Sequence, residues 1–491
     1  MAPERPNLLL IWTDEQRPDT MACYGNRTIR TPSFDKLAAT SFVFDHCYCA
    51  QPVCTPSRGT ILTGLWPHQH GAINNNIPLN REAQTIAELV DDSYHTAYYG
   101  KWHLGDEIIA QHGFDEWVSV EDGIYRAYYS RPEYLERRSD YHQFLVRHGF
   151  PPDSTSSDGA RVFSRNFAAA MSEPFTKAGF LGQEAAHFIR DRPRDQPWLL
   201  SVNFLEPHMP FFGPRNRDYD PDALEVSPVF GRKPDQGMSL RNRYTADQYI
   251  QRGQGGWPCH DDWHRRRLRA NYDGLVTMVD NAVGRILEAL EASGQAENTI
   301  VVFTSDHGDM MGDHAQVAKC VMYEQSVGVP LLVRVPWLNQ TQQHVEGRFS
   351  QIDLVPTLLE LMGQTVPEHC AGTSRAPVLC GERTLADNDV IIVWRPSPNA
   401  GANARSTVDG YSDEQARTIA EQQWRTIITA DGWKLNLCAT DRCELHDLNE
   451  DPWEQCNLID DPDCQRRVEE MTEKIRAWQR ATDDEAALVE A

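Results

Sequence analysis

The chain has 491 residues, 40% of them hydrophobic and 24% charged, a globular profile rather than a fibrous or disordered one. Lysine and arginine number 47 against 71 aspartates and glutamates, for a formal charge of −24. A field of that sign repels phosphate backbones and anionic bilayers, so neither nucleic acid nor a membrane is an expected partner.

The first apolar run, Leu8 to Trp12, is far shorter than the roughly 18 residues of a spanning helix. The residues before it lack the basic leader and small-residue cleavage pattern of a signal peptide, so a cytoplasmic protein is expected, or one whose leader has been removed. Asn7 to Trp12 predicts a buried strand, as do Thr96 to Tyr99, Trp198 to Phe204, Thr299 to Phe303 and Pro330 to Val335. Between the third and fourth, Leu275, Met278, Val279, Val283, Ile286, Leu287 and Leu290 recur at helical spacing from Tyr272 to Ala292, and Gly294 ends the pattern. Strands alternating with helices predict an α/β fold with a largely parallel sheet covered on both faces.

From about Pro207 to His264 the periodicity weakens into Pro, Gly, Arg, Asp and aromatic residues, including Gln254-Gly255-Gly256-Trp257-Pro258. A long ordered insertion near the mouth of a site is expected there. A smaller α+β unit, packed behind the main sheet, follows from Val390 to Trp394, Trp424 to Ala430, Trp433 to Leu437 and a polar helix ending near Ala481. Two domains are thus expected, residues 1–385 and 386–491. Twelve cysteines are too sparse for a disulfide scaffold, although Cys438 with Cys443 and Cys456 with Cys464 could pair.

Four strands are followed by reactive side chains: Asp14-Glu15, then Lys101 and His103, then Glu206-Pro207-His208, then Ser305-Asp306-His307-Gly308. Ligands of open α/β sheets bind beyond the carboxyl ends of the strands, so these clusters can converge on one site. In Cys54-Thr55-Pro56-Ser57-Arg58, Pro56 suits a first helical turn. That puts Cys54 just before a helix N-terminus and gives Arg58 as a forked donor for a tetrahedral oxyanion. Taken alone, a cysteine is more often a small buried hydrophobe, and a lysine a surface charge.

Cys-x-Pro-x-Arg followed by Leu62-Thr63-Gly64 resembles the signature of the type I sulfatases, within the alkaline phosphatase superfamily. Gly100-Lys101-Trp102-His103, Pro207-His208-Met209-Pro210, Ser305-Asp306-His307-Gly308 and Lys319 match further family segments in order. The resemblance implies a large, mostly parallel mixed sheet sandwiched by helices, with a smaller C-terminal subdomain. It implies that a maturation enzyme oxidises Cys54 to formylglycine, whose hydrate attacks sulfur. Asp14, Glu15 and Asp306 are hard oxygen donors that suit one Ca²⁺ or Mg²⁺, with His307 and the modified Cys54 completing the set. Lys101 and Lys319 would neutralise sulfate oxygens, His103 would serve as base or diol partner, and His208 would bind or protonate the leaving oxygen. The sequence departs from the commonest family pattern at Glu15, where paired aspartates are usual, and at His307, where asparagine is frequent.

The expected activity is hydrolysis of a small or oligosaccharide sulfate ester, with carbohydrate sulfate preferred over aryl or choline sulfate. The overall acidity weakly disfavours long, densely sulfated polymers. The alternatives are phosphonate monoester or phosphodiester hydrolysis, and a non-catalytic protein that binds a sulfated ligand through an unmodified Cys54. A homo-oligomer is compatible with the sequence.

Overall fold

The computed structural model describes residues 3–122, 126–156 and 159–489. Its organising strand is Asn7–Asp14, buried along its whole length. Leu9 and Ile11 enter the core on one face of the sheet, and Leu8, Leu10 and Trp12 the core on the other. This two-sided burial is why the run reads as continuously apolar rather than alternating.

Among the described residues the main sheet has nine strands. Its order is Gln343–Ser350, Phe42–Tyr48, Leu331–Arg334, Thr299–Ser305, Asn7–Asp14, Trp198–Pro207, His95–Gly100 and Glu116–Ser119, with Gly328–Val329 paired beside Phe42–Tyr48. Leu331–Arg334 runs antiparallel to both neighbours, and the pairings about Asn7–Asp14 are parallel. The helices Asp262–Ser293 and Lys177–Asp191 cover one face, through residues such as Val279, Val283 and Leu181. Cys54–Thr63 and Leu354–Leu361 cover the other, through Ile61, Leu62 and Leu358.

All five expected strands are present; four run one to three residues further than expected, and the fifth, Leu331–Arg334, is a residue shorter at each end. The expected helix is longer. It starts at Asp262, where the Asp261 carboxylate accepts the His264 N–H, and ends at left-handed Gly294. Its opening turns carry Arg265, Arg266 and Arg267, which hid the apolar period. Phe42–Tyr48 and Gln343–Ser350 escaped the sequence reading because polar residues break their hydrophobic runs, Gln343–Ser350 at the sheet edge and Phe42–Tyr48 just inside it.

A second, four-stranded antiparallel sheet orders Val390–Trp394, Trp424–Ile428, Trp433–Leu437 and Glu444–Asp447. Gln465–Thr482 packs on one of its faces through Met471 and Ile475. The other face meets Tyr48, Val53 and Val327, so the unit abuts the segment leading into Cys54 and does not sit behind the main sheet. All twelve cysteines are free, including the four that could have paired. No helix among the described residues is long and apolar enough to cross a membrane.

Candidate active site

The strand register brings the reactive loops to one edge of the sheet. Thr13 pairs with Ser305, and Trp12 and Gly100 both pair with Asn203. The chain therefore leaves the strands at Asp14, Asp306, His208 and Lys101 side by side. Gly100 makes this possible, with φ of 115° and a position where a Cβ would lie 1.9 Å from the Asn203 carbonyl oxygen.

The remaining segment is the helix Cys54–Thr63, buried throughout. Extended Val53 is its N-cap, so Cys54 is the first helical residue rather than the one before it. Pro56 falls within the first turn, where a missing N–H leaves no intrahelical bond unmade. The Val53 side chain cannot cap, and the Asn75 side-chain oxygen instead accepts the Thr55 N–H at 3.1 Å.

Four donor atoms converge above this helix end. Cys54 Sγ is 3.7 Å from Asp14 Oδ1 and 3.4 Å from His307 Nε2, and that nitrogen is 3.9 Å from Asp14 Oδ1 and 3.6 Å from Asp306 Oδ1. The donor atoms of these residues all lie within 4.8 Å of one another, and all four residues are buried. The His307 Nδ1–H donates to the Gly308 carbonyl at 2.9 Å, which leaves a lone pair on Nε2. Two carboxylate oxygens, an imidazole lone pair and a sulfur position so arranged can hold a divalent cation.

Arg58 corrects the sequence reading. Its fork, expected to meet a tetrahedral oxyanion, donates from Nε to Asp306 at 3.0 Å, from Nη2 to Asp14 at 2.9 Å and from Nη1 to the Lys101 carbonyl at 2.7 Å. With its guanidinium 4.7 Å from the Trp12 ring centroid, Arg58 is a fully buried clamp on two carboxylates. It has no face left for substrate.

Glu15 is a second correction. Its backbone is left-handed, with φ of 68°, and the carboxylate turns away from Cys54, Asp306 and His307. It ion-pairs with Lys319 Nζ and lies 3.4 Å from His208 Nε2. Glu15 thus groups with His208 and Asp14, apart from the four-atom centre. Its N–H still serves that centre, donating to Asp306 Oδ1 at 3.2 Å.

Lys101 Nζ donates to Asp14 Oδ2 at 2.6 Å. Burial alone would raise the Asp14 carboxyl, but Lys101, His208 and Arg58 outweigh it and hold the group well below the usual carboxylate range. Burial and the neighbouring Asp14 charge push Asp306 up. The same two causes, burial first, push the Cys54 thiol well above its ordinary value, so it is no thiolate nucleophile as it stands. Burial, then Lys101 and Arg58, pull His103 down, and burial above all pulls His208 down to about 3.

Sequence reasoning missed Glu107. Its carboxylate accepts the Trp102 and His103 N–H groups at 3.1 and 2.6 Å, fixing a loop in which His103 has φ of 60°. No spacing rule announces such a loop anchor. His70 is structural, buried against Gly59 with Nε2 3.2 Å from the Pro56 carbonyl.

The insertion and the C-terminal subdomain together form the mouth of the site. A cavity of about 570 Å³ reaches Lys319 and is lined by Asn74, by Arg241 and Tyr244 of the insertion, and by Trp394 of the small sheet.

Residues 6–364 match the family model described as Sulfatase. The uncharacterized sulfatase YidJ of Escherichia coli is 30% identical over 462 residues, covering 93% of this chain and 84% of that protein. An N-acetylglucosamine-6-O-sulfatase of Bacteroides thetaiotaomicron is 25% identical over 98% of this chain and 87% of its own length. Among solved structures, a phosphonate monoester hydrolase of Agrobacterium radiobacter superposes with a TM-score of 0.76 at 24% identity, over 97% of this chain and 96% of that one.

Proposed function

The chain belongs to the sulfatase family, and we propose that it hydrolyses the sulfate ester of a carbohydrate, R–O–SO₃⁻ plus water giving R–OH and sulfate. The reading rests on one observation, the meeting of Cys54 at a helix N-terminus with Asp14, Asp306 and the free lone pair of His307. The likeness to an N-acetylglucosamine-6-O-sulfatase along nearly the whole chain supports a sugar as the alcohol.

A neutral buried thiol is a weak nucleophile, so the reading includes conversion of Cys54 to formylglycine by a maturation enzyme. Asp14, Asp306, His307 and the modified residue would hold one Ca²⁺ or Mg²⁺, which would supply Lewis-acid activation of the hydrated aldehyde. The protein's own residues do the positioning. Arg58 fixes the separation of Asp14 and Asp306, and Lys101 neutralises the Asp14 oxygen that faces away from Cys54 and His307. Lys319, at the foot of the cavity, and His208, which shares Glu15 with it, meet the sulfate and ester oxygens. His103, whose carbonyl accepts the hydroxyl of Thr55 next to Cys54, is carried on the loop anchored by Glu107.

The test co-expresses the chain with a maturation enzyme, verifies the aldehyde by mass spectrometry of the Cys54 peptide, and compares kcat/KM on sulfated monosaccharides, 4-nitrophenyl sulfate and phenylphosphonate esters. A sulfated sugar is expected to be the best substrate. A large preference for the phosphonate ester would overturn the choice, and a persistent free thiol in the native host would favour a binding protein.

A further inference from the structure

Of the cavities among the described residues, two share a wall made of Met209 and Gln254. One is the cavity of about 570 Å³ that reaches Lys319. The other, about 660 Å³, is lined by Phe211, Phe212, Trp257 and Arg267. The Gln254 side-chain amide donates to the Met209 sulfur at 2.8 Å, closing the wall immediately after His208 in the chain. Gln254 is held firmly, because it exchanges backbone hydrogen bonds of 2.8 and 2.9 Å with Trp257 in a tight turn. Gly253 permits that turn at φ of 69°, where a Cβ would lie 2.0 Å from the Trp257 carbonyl oxygen.

The charge of this cleft is opposite to that of the protein. The formal charge of the chain is −24, yet no aspartate or glutamate lines either cavity among the described residues, while Arg241, Lys319, Arg405, Arg165 and Arg267 do. Three of these cations have carboxylate partners inside the protein: Lys319 has Glu15, Arg405 has Asp413 and Arg165 has Glu121. The other two are held by carbonyls. Arg241 donates to the Cys320 and Ile419 carbonyls and stacks 4.6 Å from the Trp394 ring centroid. Asp441, the carboxylate at its helix start, is taken up by the backbone N–H groups of Leu240 and Arg241. Arg267 donates to the Asn216 carbonyl at 2.7 Å. Carbonyl partners orient a guanidinium without cancelling its charge, and each fork has N–H groups left to give.

Building on the carbohydrate sulfatase reading, we propose that Arg241 and Arg267 are anion receptors on opposite sides of the Met209–Gln254 wall, selecting a substrate whose alcohol part is itself anionic on both sides. An oligosaccharide with a uronate carboxylate and a second sulfate has this chemistry. Charge-assisted bonds to a half-buried guanidinium are among the strong polar contacts, and the wall sets the spacing at which two of them form together. Local charge thus outweighs the overall acidity, which acts only at longer range.

The test measures the ratio of kcat/KM for a disaccharide bearing one uronate and two sulfates to that for 4-nitrophenyl sulfate, using chain with verified aldehyde at position 54. Arg241→Gln and Arg267→Gln are each expected to lower this ratio about tenfold, and Arg267→Lys to recover part of it. Because Arg241 also ties the insertion to the Cys320 and Ile419 carbonyls, Arg267 carries the decision. A ratio within about twofold of the parent protein in Arg267→Gln, or an equal loss on both substrates, overturns the proposal. Should both substrates be inert with the parent protein, the sulfatase reading itself fails.

Discussion

In the C-terminal subdomain, Asp484 gives both oxygens to Arg425 at 2.7 and 2.8 Å and accepts Arg395 and Gln479 besides. At the strand ends, Asp14 gives one oxygen to Arg58 and Lys101 and turns the other to Cys54 and His307. Both carboxylates are buried beside two cations, and both titrate below the usual range. They differ in what is left over. Around Asp484 each carboxylate oxygen accepts two donors, whereas around Asp14 and Asp306 the cations hold the outer oxygens and the inner ones face a common point. Buried charge is thus structural where it closes on itself and chemical where it is held open.

The sharpest test of this contrast is Asp306→Asn, which weakens an inner donor. Turnover of a sulfate ester is expected to fall by about 10³-fold or more, with loss of bound metal by elemental analysis. Full metal occupancy in this variant would place the ion elsewhere. Lys101→Ala comes next, with a loss of about 10²-fold in kcat and a fall in stability of ~3 kcal/mol, because Asp14 loses a buried partner. Denaturant unfolding and steady-state kinetics separate the two effects.

Asp484→Asn should behave oppositely, costing ~3 kcal/mol of stability with unchanged kcat per folded molecule. A drop in kcat would link the small sheet to the chemistry. The same residue sets an acid response. Burial raises Asp484, but Arg425 and Arg395 outweigh it and hold the folded pKa well down. Its stabilisation is therefore full above the unfolded value of about 3.9 and is lost as pH falls through the folded value. The melting temperature should drop below about pH 4, less steeply in Asp484→Asn. The smallest effect is expected from Asn75→Ala, which removes the side-chain cap from the Cys54 helix and costs ~1 kcal/mol by denaturant unfolding.

Much of the fold was legible because buried parallel strands announce themselves as short apolar runs, and the residues after them are charged only where a site needs them. Asn7–Asp14 and Thr299–Ser305 show both features. Phe42–Tyr48 does not, since Asp45 and His46 interrupt it where they reach solvent, one strand in from the sheet edge. In the site, Asp306 and His307 follow directly from their strand, but Glu15 follows Asp14 just as closely and still points elsewhere. Side-chain direction there depends on a left-handed backbone that residue type does not reveal.

By itself, the order of residues determined the family, the parallel sheet and the set of groups gathered at its edge, because periodicity and motif spacing are local properties of the chain. Only the tertiary structure decided what each group faces. Arg58 grips carboxylates rather than an oxyanion, and Lys319 answers Glu15 from more than 300 residues away. Arg241 and Arg267 stand on two sides of one wall. These pairings depend on the register of distant strands and on which charges lack a partner once the chain is packed, and neither is written in the neighbours of a residue along the sequence.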